Sequence, residues 1–328
     1  MTYMDWRDVP GDVIRPLYDA EGARWTAALD WNLQPSWDIV EPARAAGRLP
    51  GLLARDRDGR VTGWAFYLLH GDILQIGALV GDRAATVRGL LDAILRSPEA
   101  ALARELTGFL FPRGSAEQAA FLRRRIPVYQ HEYLRRTLGP ADVDAATAVA
   151  GEQGGIRLRA WTPHDAVAMV RLLARAYQQA PTVRCFAPHE RLEEWAHYLG
   201  QLVRTAACGE FLPHASFIAE RVATREPVGL IVTTAVGLRT AHVAQVAVEP
   251  GLTRAGIGRR LLRAALGAAR TAGHDRVTLV VARENDPARR LYDQLGFDPV
   301  ASFLFASRQT PLRRAFPAVR TRRQASAA

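Results

Sequence analysis

The chain has 328 residues, of which 48% are hydrophobic and 23% are charged, and its formal net charge is +10. This composition excludes a disordered protein, and the length allows two ordinary globular domains. No apolar run approaches the roughly 18 residues that a membrane-spanning helix needs. Cys185 and Cys208 are the two cysteines, which are too few for a disulfide framework.

The positive charge comes from arginine alone, since all 43 basic residues are arginine and no lysine occurs. A basic surface suits an anionic ligand, a nucleic acid or an acidic membrane, and a compositional bias towards arginine gives the same charge without any partner. We expect neither a nucleic acid nor a membrane as partner. The first residues lack the charged and then apolar segments of a secretory signal, so we expect a cytoplasmic protein.

Two β-hairpins are predicted at matching places in the two halves of the chain. Apolar residues 52–55 and 61–67 flank a turn in the first half, and residues 216–220 and 228–232 flank a turn in the second. A helical apolar pattern and then a further β run follow in both halves. We therefore predict two copies of one mixed α/β unit.

This repeat divides the chain into domains. Residues 1–140 are predicted to form the first domain, residues 141–155 an alanine- and glycine-rich linker, and residues 156–308 the second domain. Residues 309–328 carry five arginines and end in small residues, which predicts a disordered basic tail. An arm that folds back over an anionic partner is the alternative for this tail.

The loop at residues 31–37 holds Trp31 and Trp37 together with a proline. Large aromatic side chains are usually core residues, but a proline-containing loop makes a core position less certain. We predict that the two tryptophans form an interface between the two halves. A wall of a ligand pocket is the alternative.

A glycine loop between a strand and a long amphipathic helix is the most informative feature of the chain. It occupies residues 253–260, and its glycines allow the backbone to approach a ligand closely. The unpaired N–H groups at the start of the helix favour an anion. Arg254, Arg259 and Arg260 add charge at the same point, which suits a pyrophosphate better than a single phosphate. Taken alone, such a loop also occurs for close packing only.

A second signature follows the next predicted strand. Its residues are Asn285, Ala288, Tyr292, Gly296 and Phe297. Together with the glycine loop, it resembles the coenzyme A half of the GNAT acetyltransferase superfamily, whose loop reads Gln/Arg-x-x-Gly-x-Gly/Ala. Gly256 and Gly258 match the two small positions of that loop, whereas Thr253 stands where the family usually has Gln or Arg. The resemblance covers residues 156–307.

The resemblance implies an α/β fold with a mixed α+β sheet and two tandem GNAT-like domains, of which the second keeps the signatures. In the first half, Ala85 and Val87 align with the two loop glycines, and a valine would crowd a phosphate. We expect a degenerate first domain without catalysis. A first domain that binds a second coenzyme A without turnover is the alternative.

The resemblance also implies transfer of an acetyl group from acetyl-CoA to the primary amine of a small molecule. Tyr292 is the implied general acid for the coenzyme A sulfur. The amides of Val246 and Val248 are the implied oxyanion donors, and Asn285 is the implied partner of the pantetheine amides. The residues implied to bind coenzyme A are Val246, Ala247, Val248, Arg254, Ala255, Gly256, Ile257, Gly258, Arg259, Arg260, Asn285 and Tyr292.

The general base is less well determined by the sequence. Relatives often carry a glutamate on the strand before the loop, where this chain has Gln245, and His242 and Glu249 lie at the two ends of that strand. We take His242 as the candidate catalytic base, with a relaying water as an equal alternative. Cys185 is not expected to be a nucleophile, because no histidine partner is identifiable. Further candidates for the base are Tyr177, His189, Glu190 and His197.

Two other functions fit the same fold. An RNA-dependent aminoacyl or peptidyl transferase would use the positive surface to bind tRNA, but such relatives do not need the coenzyme A loop. A non-catalytic acyl-CoA-binding protein would bind the cofactor and form no product. The sequence predicts no metal site, and it leaves the acceptor, the acyl chain length and the oligomeric state open.

Overall fold

The computed structural model of the chain describes residues 1–149, 151–178, 183–205 and 208–309. Apart from Gln309, the predicted basic tail lies outside these residues. No helix within them is both long enough and apolar enough to cross a bilayer.

The order of strands and helices repeats itself along the chain. The first half contains β1 (Thr2–Asp5), α1 (Gly11–Leu29), α2 (Gln34–Ala45), β2 (Gly51–Arg55), β3 (Val61–His70), β4 (Ile73–Gly81), α3 (Ala84–Ile94), α4 (Pro98–Leu102), β5 (Glu105–Leu110), α5 (Ala116–Arg123) and β6 (Val128–Thr137). After helix α6 (Pro140–Thr147), the second half contains β7 (Ile156–Ala160), α7 (Ala166–Ala176), α8 (Leu192–Arg204), β8 (Glu210–Phe211), β9 (Phe217–Arg221), β10 (Pro227–Gly237), β11 (Thr240–Val248), α9 (Ile257–Thr271), β12 (Arg276–Ala282), α10 (Asp286–Gln294) and β13 (Asp298–Gln309). The two predicted hairpins are confirmed as β2–β3 and β9–β10.

The thirteen strands of the described residues form one sheet, in the order β1-β2-β3-β4-β5-β13-β6-β12-β11-β10-β9-β7, with β8 paired to β10. The last strand of each half is exchanged, since β6 pairs with β12 of the second half and β13 pairs with β5 of the first. β6 and β13 also pair with each other between these two. The halves therefore share one continuous sheet, and neither half completes a sheet with its own strands.

Each half contains two parallel strands that separate from one another along their length. β11 pairs with β12 only over residues 240–243, opposite residues 276–279. In the first half, β4 pairs with β5 only over residues 73–76, opposite residues 105–108. Beyond Val243, the edge of β11 that faces β12 has no ladder partner in the described part of the chain. Its backbone amides consequently face a gap between the strands.

Helices cover both faces of the sheet because successive strand residues point to opposite sides. In β10, Ile231 belongs to the apolar cluster of α9, whereas its neighbour Leu230 belongs to the cluster of α7 and α8. We call these two sides the α9 face and the α7 face. In β3 the same alternation separates Ala65, which packs with α3, from Trp64, which packs with α1 and α2.

The loop after α1 is a contact between the two halves. Trp31 packs against Tyr133 of β6 and His242 of β11, with ring centroids 6.4 and 5.0 Å apart. The predicted interface role is therefore confirmed for Trp31. It is wrong for Trp37, which packs against Tyr18 in the core of the first half at a centroid distance of 4.4 Å. The loop continues into α2, and this helix turns Trp37 inwards.

Much of the stretch that was predicted as a linker has regular structure. Helix α6 lies in it and packs against α9. The guanidinium of Arg260, on α9, is buried and donates hydrogen bonds to the carbonyl oxygens of Gly151 at 2.7 Å and Ile156 at 3.2 Å. It also reaches the carbonyl oxygens of Gln153 and Val149. Arg260 therefore fastens the connecting segment to the helix that follows the glycine loop.

Replacement of Arg260 by methionine is expected to lower the free energy of unfolding by about 3 kcal/mol, because buried carbonyl groups lose their charged donor. Urea denaturation of the full chain measures this change. Arg263→Met, on the same helix, is the matched control and should stay close to the wild type. Equal stability of Arg260→Met and Arg263→Met would contradict the role given to Arg260.

Candidate active site

The glycine loop has the backbone geometry that its sequence predicts. Gly256 adopts φ +80°, a left-handed conformation that residues with a Cβ rarely adopt, and α9 begins at the next residue. The first helical hydrogen bond runs from the Arg260 N–H to the Gly256 carbonyl at 3.0 Å. No side chain of the described residues caps this terminus. The N–H groups of residues 257–259 are thus available to an anion.

Packing within the protein does not require a glycine at position 258. A Cβ built on it would lie 3.7 Å from side-chain atoms of both Leu291 and Val248, which is ordinary van der Waals contact. The protein alone would accept an alanine here. The space at Gly258 therefore lies where a ligand can approach the start of α9, and a branched side chain would fill it.

The three arginines of the loop take different positions. Arg254 is exposed and adopts φ +69°, and Arg259 is half-buried and donates to the side-chain oxygen of Gln294 on α10. Both lie at the edge of the loop. Arg260, which the resemblance placed among the residues that bind coenzyme A, points to the connecting segment instead. Its carbonyl partners there explain its position, and we leave it out of the proposed binding residues.

Tyr292 lies on α10, on the α9 face, and is 6% exposed. Its ring meets that of Phe297 edge-on at a centroid distance of 5.9 Å. Burial raises the pKa of Tyr292, and the nearby Tyr177 raises it further, so its hydroxyl stays protonated at neutral pH. Asn285 is the N-cap of α10, and its side-chain oxygen accepts from the Ala288 N–H at 3.3 Å. The amide NH₂ group of Asn285 has no part in that bond.

A glutamine held between two tyrosines lies on the α7 face of β11. The side-chain N–H of Gln245 donates to the hydroxyl of Tyr177 at 2.6 Å, and the hydroxyl of Tyr198 donates to its oxygen at 3.0 Å. Burial is the largest cause that raises the pKa of Tyr177, to about 12. Tyr177 is therefore a hydrogen-bond donor in its neutral form and not a base.

His242 is covered by the contact between the two halves. Thr278 donates its hydroxyl to the Ala241 carbonyl at 3.3 Å and so accepts from the His242 Nδ1–H at 2.9 Å. Trp31 and Tyr133 lie against the ring. Burial lowers the pKa of His242 to about 3, which makes it a weak base. His242 therefore lies in the interface between the two halves, in the part of β11 that is paired with β12.

Two of the remaining candidates from the second half, His189 and His197, also contact the first half. Nδ1 of His189 lies 2.7 Å from a carboxylate oxygen of Glu194, and its Nε2 lies 3.8 Å from Asp72 of the first half. His197 stacks on His70 at a centroid distance of 4.4 Å. Glu190 is exposed. The structure does not bring these side chains together with Tyr292 through any hydrogen bond of the described residues.

Sequence reasoning missed one histidine near the gap. This residue is His131 on β6, and its Nε2 atom is 3.8 Å from the sulfur of Cys185. Burial raises the pKa of the Cys185 thiol, so the thiol stays protonated and is a poor nucleophile. No local pattern around residue 131 signals a site. Only the pairing of β6 with β12 brings this residue of the first half to the second.

The first half lacks a glycine loop at the equivalent place. β4 ends at Gly81 and α3 begins at Ala84, so there is no room for the longer loop seen before α9. The carboxylate of Asp82 lies at the start of α3, where it accepts from the Thr86 hydroxyl at 2.8 Å. Val87 is 1% exposed and packs into the core. An anionic ligand is disfavoured here by the charge of Asp82.

Two exchanged halves in one sheet, with a glycine loop and a strand gap in the second half, define a tandem GNAT fold. The model of the acetyltransferase (GNAT) family matches residues 171–297. A mycothiol acetyltransferase of Beutenbergia cavernae is 30% identical over 80% of this chain and 86% of its own length. The chain belongs to the GNAT acetyltransferase family and is an acetyl-CoA-dependent N-acetyltransferase.

Solved structures support the fold. A GCN5-related N-acetyltransferase from Sphaerobacter thermophilus is similar with a TM-score of 0.57 and 17% identity, over 79% of this chain and 80% of its own. A tandem GNAT protein from the clavulanic acid biosynthesis pathway has a TM-score of 0.53 and 17% identity, over 80% and 82% of the two chains. At this identity the likeness extends to the fold alone.

Gly258→Val is expected to lower the affinity for acetyl-CoA by about 100-fold, because its side chain would block two hydrogen bonds to the start of α9. Gly258→Ala is the matched control, since its Cβ meets only ordinary contacts. Calorimetric titration measures both variants. Wild-type affinity in Gly258→Val would show that the loop does not hold the cofactor.

Proposed function

We propose that the second half of the chain transfers an acetyl group directly from acetyl-CoA to the primary amine of a small molecule. The observation that carries this proposal is the joint presence, in the second half, of three features. They are the open start of α9, the unpaired edge of β11 and the buried hydroxyl of Tyr292. The first half lacks the glycine loop, and we propose that it is a degenerate domain.

The residues at the loop fit a cofactor with a pyrophosphate. The N–H groups of residues 257–259 would hold its phosphate oxygens, and Arg254 and Arg259 would add positive charge beside them. Gly256 and Gly258 leave the space that the phosphates need. When bound, acetyl-CoA supplies an activated acyl group as a thioester. The unpaired edge of β11, at residues 246–248, would hold the pantetheine arm, with the amide of Asn285 as a further partner.

The chain's own groups would serve two parts of the reaction. Backbone amides of Val246 and Val248 are the proposed donors to the oxygen that becomes negative when the amine attacks. Their orientation is fixed before the substrates bind, because β10 holds β11 in place. The hydroxyl of Tyr292 is the proposed proton donor to the sulfur that leaves. Its raised pKa keeps the proton in place until the thiolate develops.

The acceptor class is proposed from the relatives. The chain is similar to the Beutenbergia cavernae mycothiol acetyltransferase over 86% of that protein's length, so a small-molecule amine is favoured over a protein. The net charge of +10 disfavours a polyamine because it would repel a polycation. The domain boundaries that we propose are residues 1–140 and 156–308, with the connecting segment between them.

Titration of acetyl-CoA into the full chain tests this proposal. One site per chain is expected, followed by acetylated product when glucosamine and other small amines are supplied and detected by mass spectrometry. Two sites would show that the first half also binds coenzyme A. The absence of binding would overturn the proposal and favour an RNA-dependent transferase or a structural role.

Tyr292→Phe is expected to lower the turnover number by about 10²-fold, because the leaving sulfur loses its proton donor. The affinity for acetyl-CoA should change little, since the ring and its packing on Phe297 remain. Rates at saturating acetyl-CoA and calorimetry separate the two effects. Tyr18→Phe removes a buried tyrosine hydroxyl in the first half and is the control. A parallel loss of affinity and turnover would make Tyr292 a binding residue.

A further inference from the structure

Acetyl transfer to an amine needs a base that removes the amine proton, and none of the second-half candidates described above fills this role well within the described residues. We infer that His131, which the first half contributes on β6, is that base. The inference rests on the proposed function. The first half lacks a cofactor loop of its own, yet under this inference it supplies a catalytic residue for the reaction of the second half.

Strand register places His131 beside the gap where the reaction would occur. His131 pairs with Ala282, the last residue of β12. Because Val243 pairs with Leu279, Ala282 is about level with Val246, the proposed oxyanion donor. β12 forms one wall of the gap, and His131 lies on the next strand beyond it. Neighbouring strands are about 4.8 Å apart, so the backbone of His131 is about that far behind this wall.

His242 lies farther from the same point. It pairs with Thr278, inside the closed part of the strand pair. Four residues separate the levels of Thr278 and Ala282, which is about 13 Å along a strand at about 3.3 Å per residue. The Nδ1 of His242 is also occupied by Thr278. Of the two imidazoles, His131 is therefore the one at the open end of the gap.

The surroundings of His131 leave one nitrogen without a well-formed hydrogen bond. The side chain is 5% exposed, and Nδ1 makes no hydrogen bond of good geometry in the described part of the chain, although the backbone of Tyr129 lies close enough to affect the ring. A buried polar atom of this kind costs free energy unless a ligand satisfies it. Phe109 meets the ring edge-on at a centroid distance of 5.2 Å, and Phe305 lies on another side. The ring is thus held in place, and Nδ1 is enclosed without a well-formed hydrogen bond.

The charges near His131 suit a base better than those near His242. Burial is the largest influence on the pKa of His131 and lowers it, so the imidazole is neutral before the amine arrives, but the backbone carbonyl of Tyr129 and, more weakly, the carboxylate of Glu284 act in the opposite direction. That carboxylate would stabilise the imidazolium once formed. The other ionisable groups here are the protonated thiol of Cys185 and, next to it, the Arg184–Glu105 ion pair at 3.4 Å.

The proton transfers balance without any further reactant. The proposal uses the tautomer in which the Nε2–H of His131 points to the sulfur of Cys185, and this tautomer leaves the lone pair on Nδ1. Nδ1 accepts the proton that the amine nitrogen loses as the bond from nitrogen to the acyl carbon forms. The carbon–sulfur bond breaks, and the sulfur receives the proton of Tyr292. Afterwards His131 loses its proton to solvent and Tyr292 regains one from solvent, so the products are an amide and a thiol.

The experiment compares His131→Phe with His242→Phe in the full chain. Phenylalanine keeps the aromatic packing at each position and removes both nitrogens. The probes are acetyl-CoA and glucosamine, with acetylglucosamine measured by mass spectrometry and acetyl-CoA affinity by calorimetry. We expect turnover to fall about 10²-fold in His131→Phe and less than about threefold in His242→Phe. The affinity for acetyl-CoA should stay unchanged in both variants, which also shows that they fold.

A base has two further signatures that a structural residue lacks. In the wild type, turnover should fall at low pH as His131 becomes protonated, and this acid limb should disappear in His131→Phe. Free imidazole should restore turnover to His131→Ala, whose cavity admits it, and should not affect His131→Phe. These two readouts remain informative if one variant folds poorly.

The outcomes separate the inference from the proposed function. Wild-type turnover in His131→Phe, or a large loss in His242→Phe alone, would overturn the role of His131 and leave the proposed acetyl transfer intact. A wild-type protein that binds no acetyl-CoA and forms no acetylated amine would overturn the proposed function, and the inference with it. Loss of turnover in His131→Phe, with rescue of His131→Ala by imidazole, would support both.

Discussion

The hydrogen bonds between β6 and β12 are the constraint on which the rest of the structure depends. They run along seven residue pairs, from Arg276 opposite Thr137 to Ala282 opposite His131. The strand pair makes one sheet of the two halves, and it fixes one wall of the gap that opens beside β11. Because β6 lies directly behind β12, the strand that forms this wall, the surroundings of the site include a strand of each half. A half without the cofactor loop can therefore be indispensable to the reaction.

Charged side chains at the seam between the halves act in a similar way. Asp30 adopts φ +56° at the end of α1 and pairs with Arg135 at 3.0 Å and with Arg276 at 3.2 Å. One carboxylate of the first half thus meets arginines from two neighbouring strands. Partly exposed ion pairs contribute little stability singly, but this arrangement is compatible with only one register of β6 against β12, the register that the backbone hydrogen bonds set. That register is what places residue 131 at the gap.

Much of the local structure could be predicted, because hairpins, the glycine loop and the amphipathic helix are encoded over short stretches. The exchange of β6 and β13 could not be predicted, since both strands have the same alternating pattern whichever half they join. Arg260 shows a similar limit of sequence reasoning. An arginine beside a phosphate loop suggests a phosphate partner, but the direction in which the Arg260 side chain points is set by its position on α9. Trp37 faced the core because the loop continued into α2. The roles of individual site residues stay predictions.

The exchanged strands also have a consequence for how the chain folds as it is synthesised. β5 has no partner on its outer side until β13, at residues 298–309, leaves the ribosome. During translation the first half therefore presents an open strand edge, which is a template for wrong pairing with other chains. Closure of the sheet joins residues nearly 200 positions apart, such as Leu304 and Leu110, so it should be slow and should come last. Expression at lower temperature or with a chaperone that shields strand edges should improve the yield of folded protein.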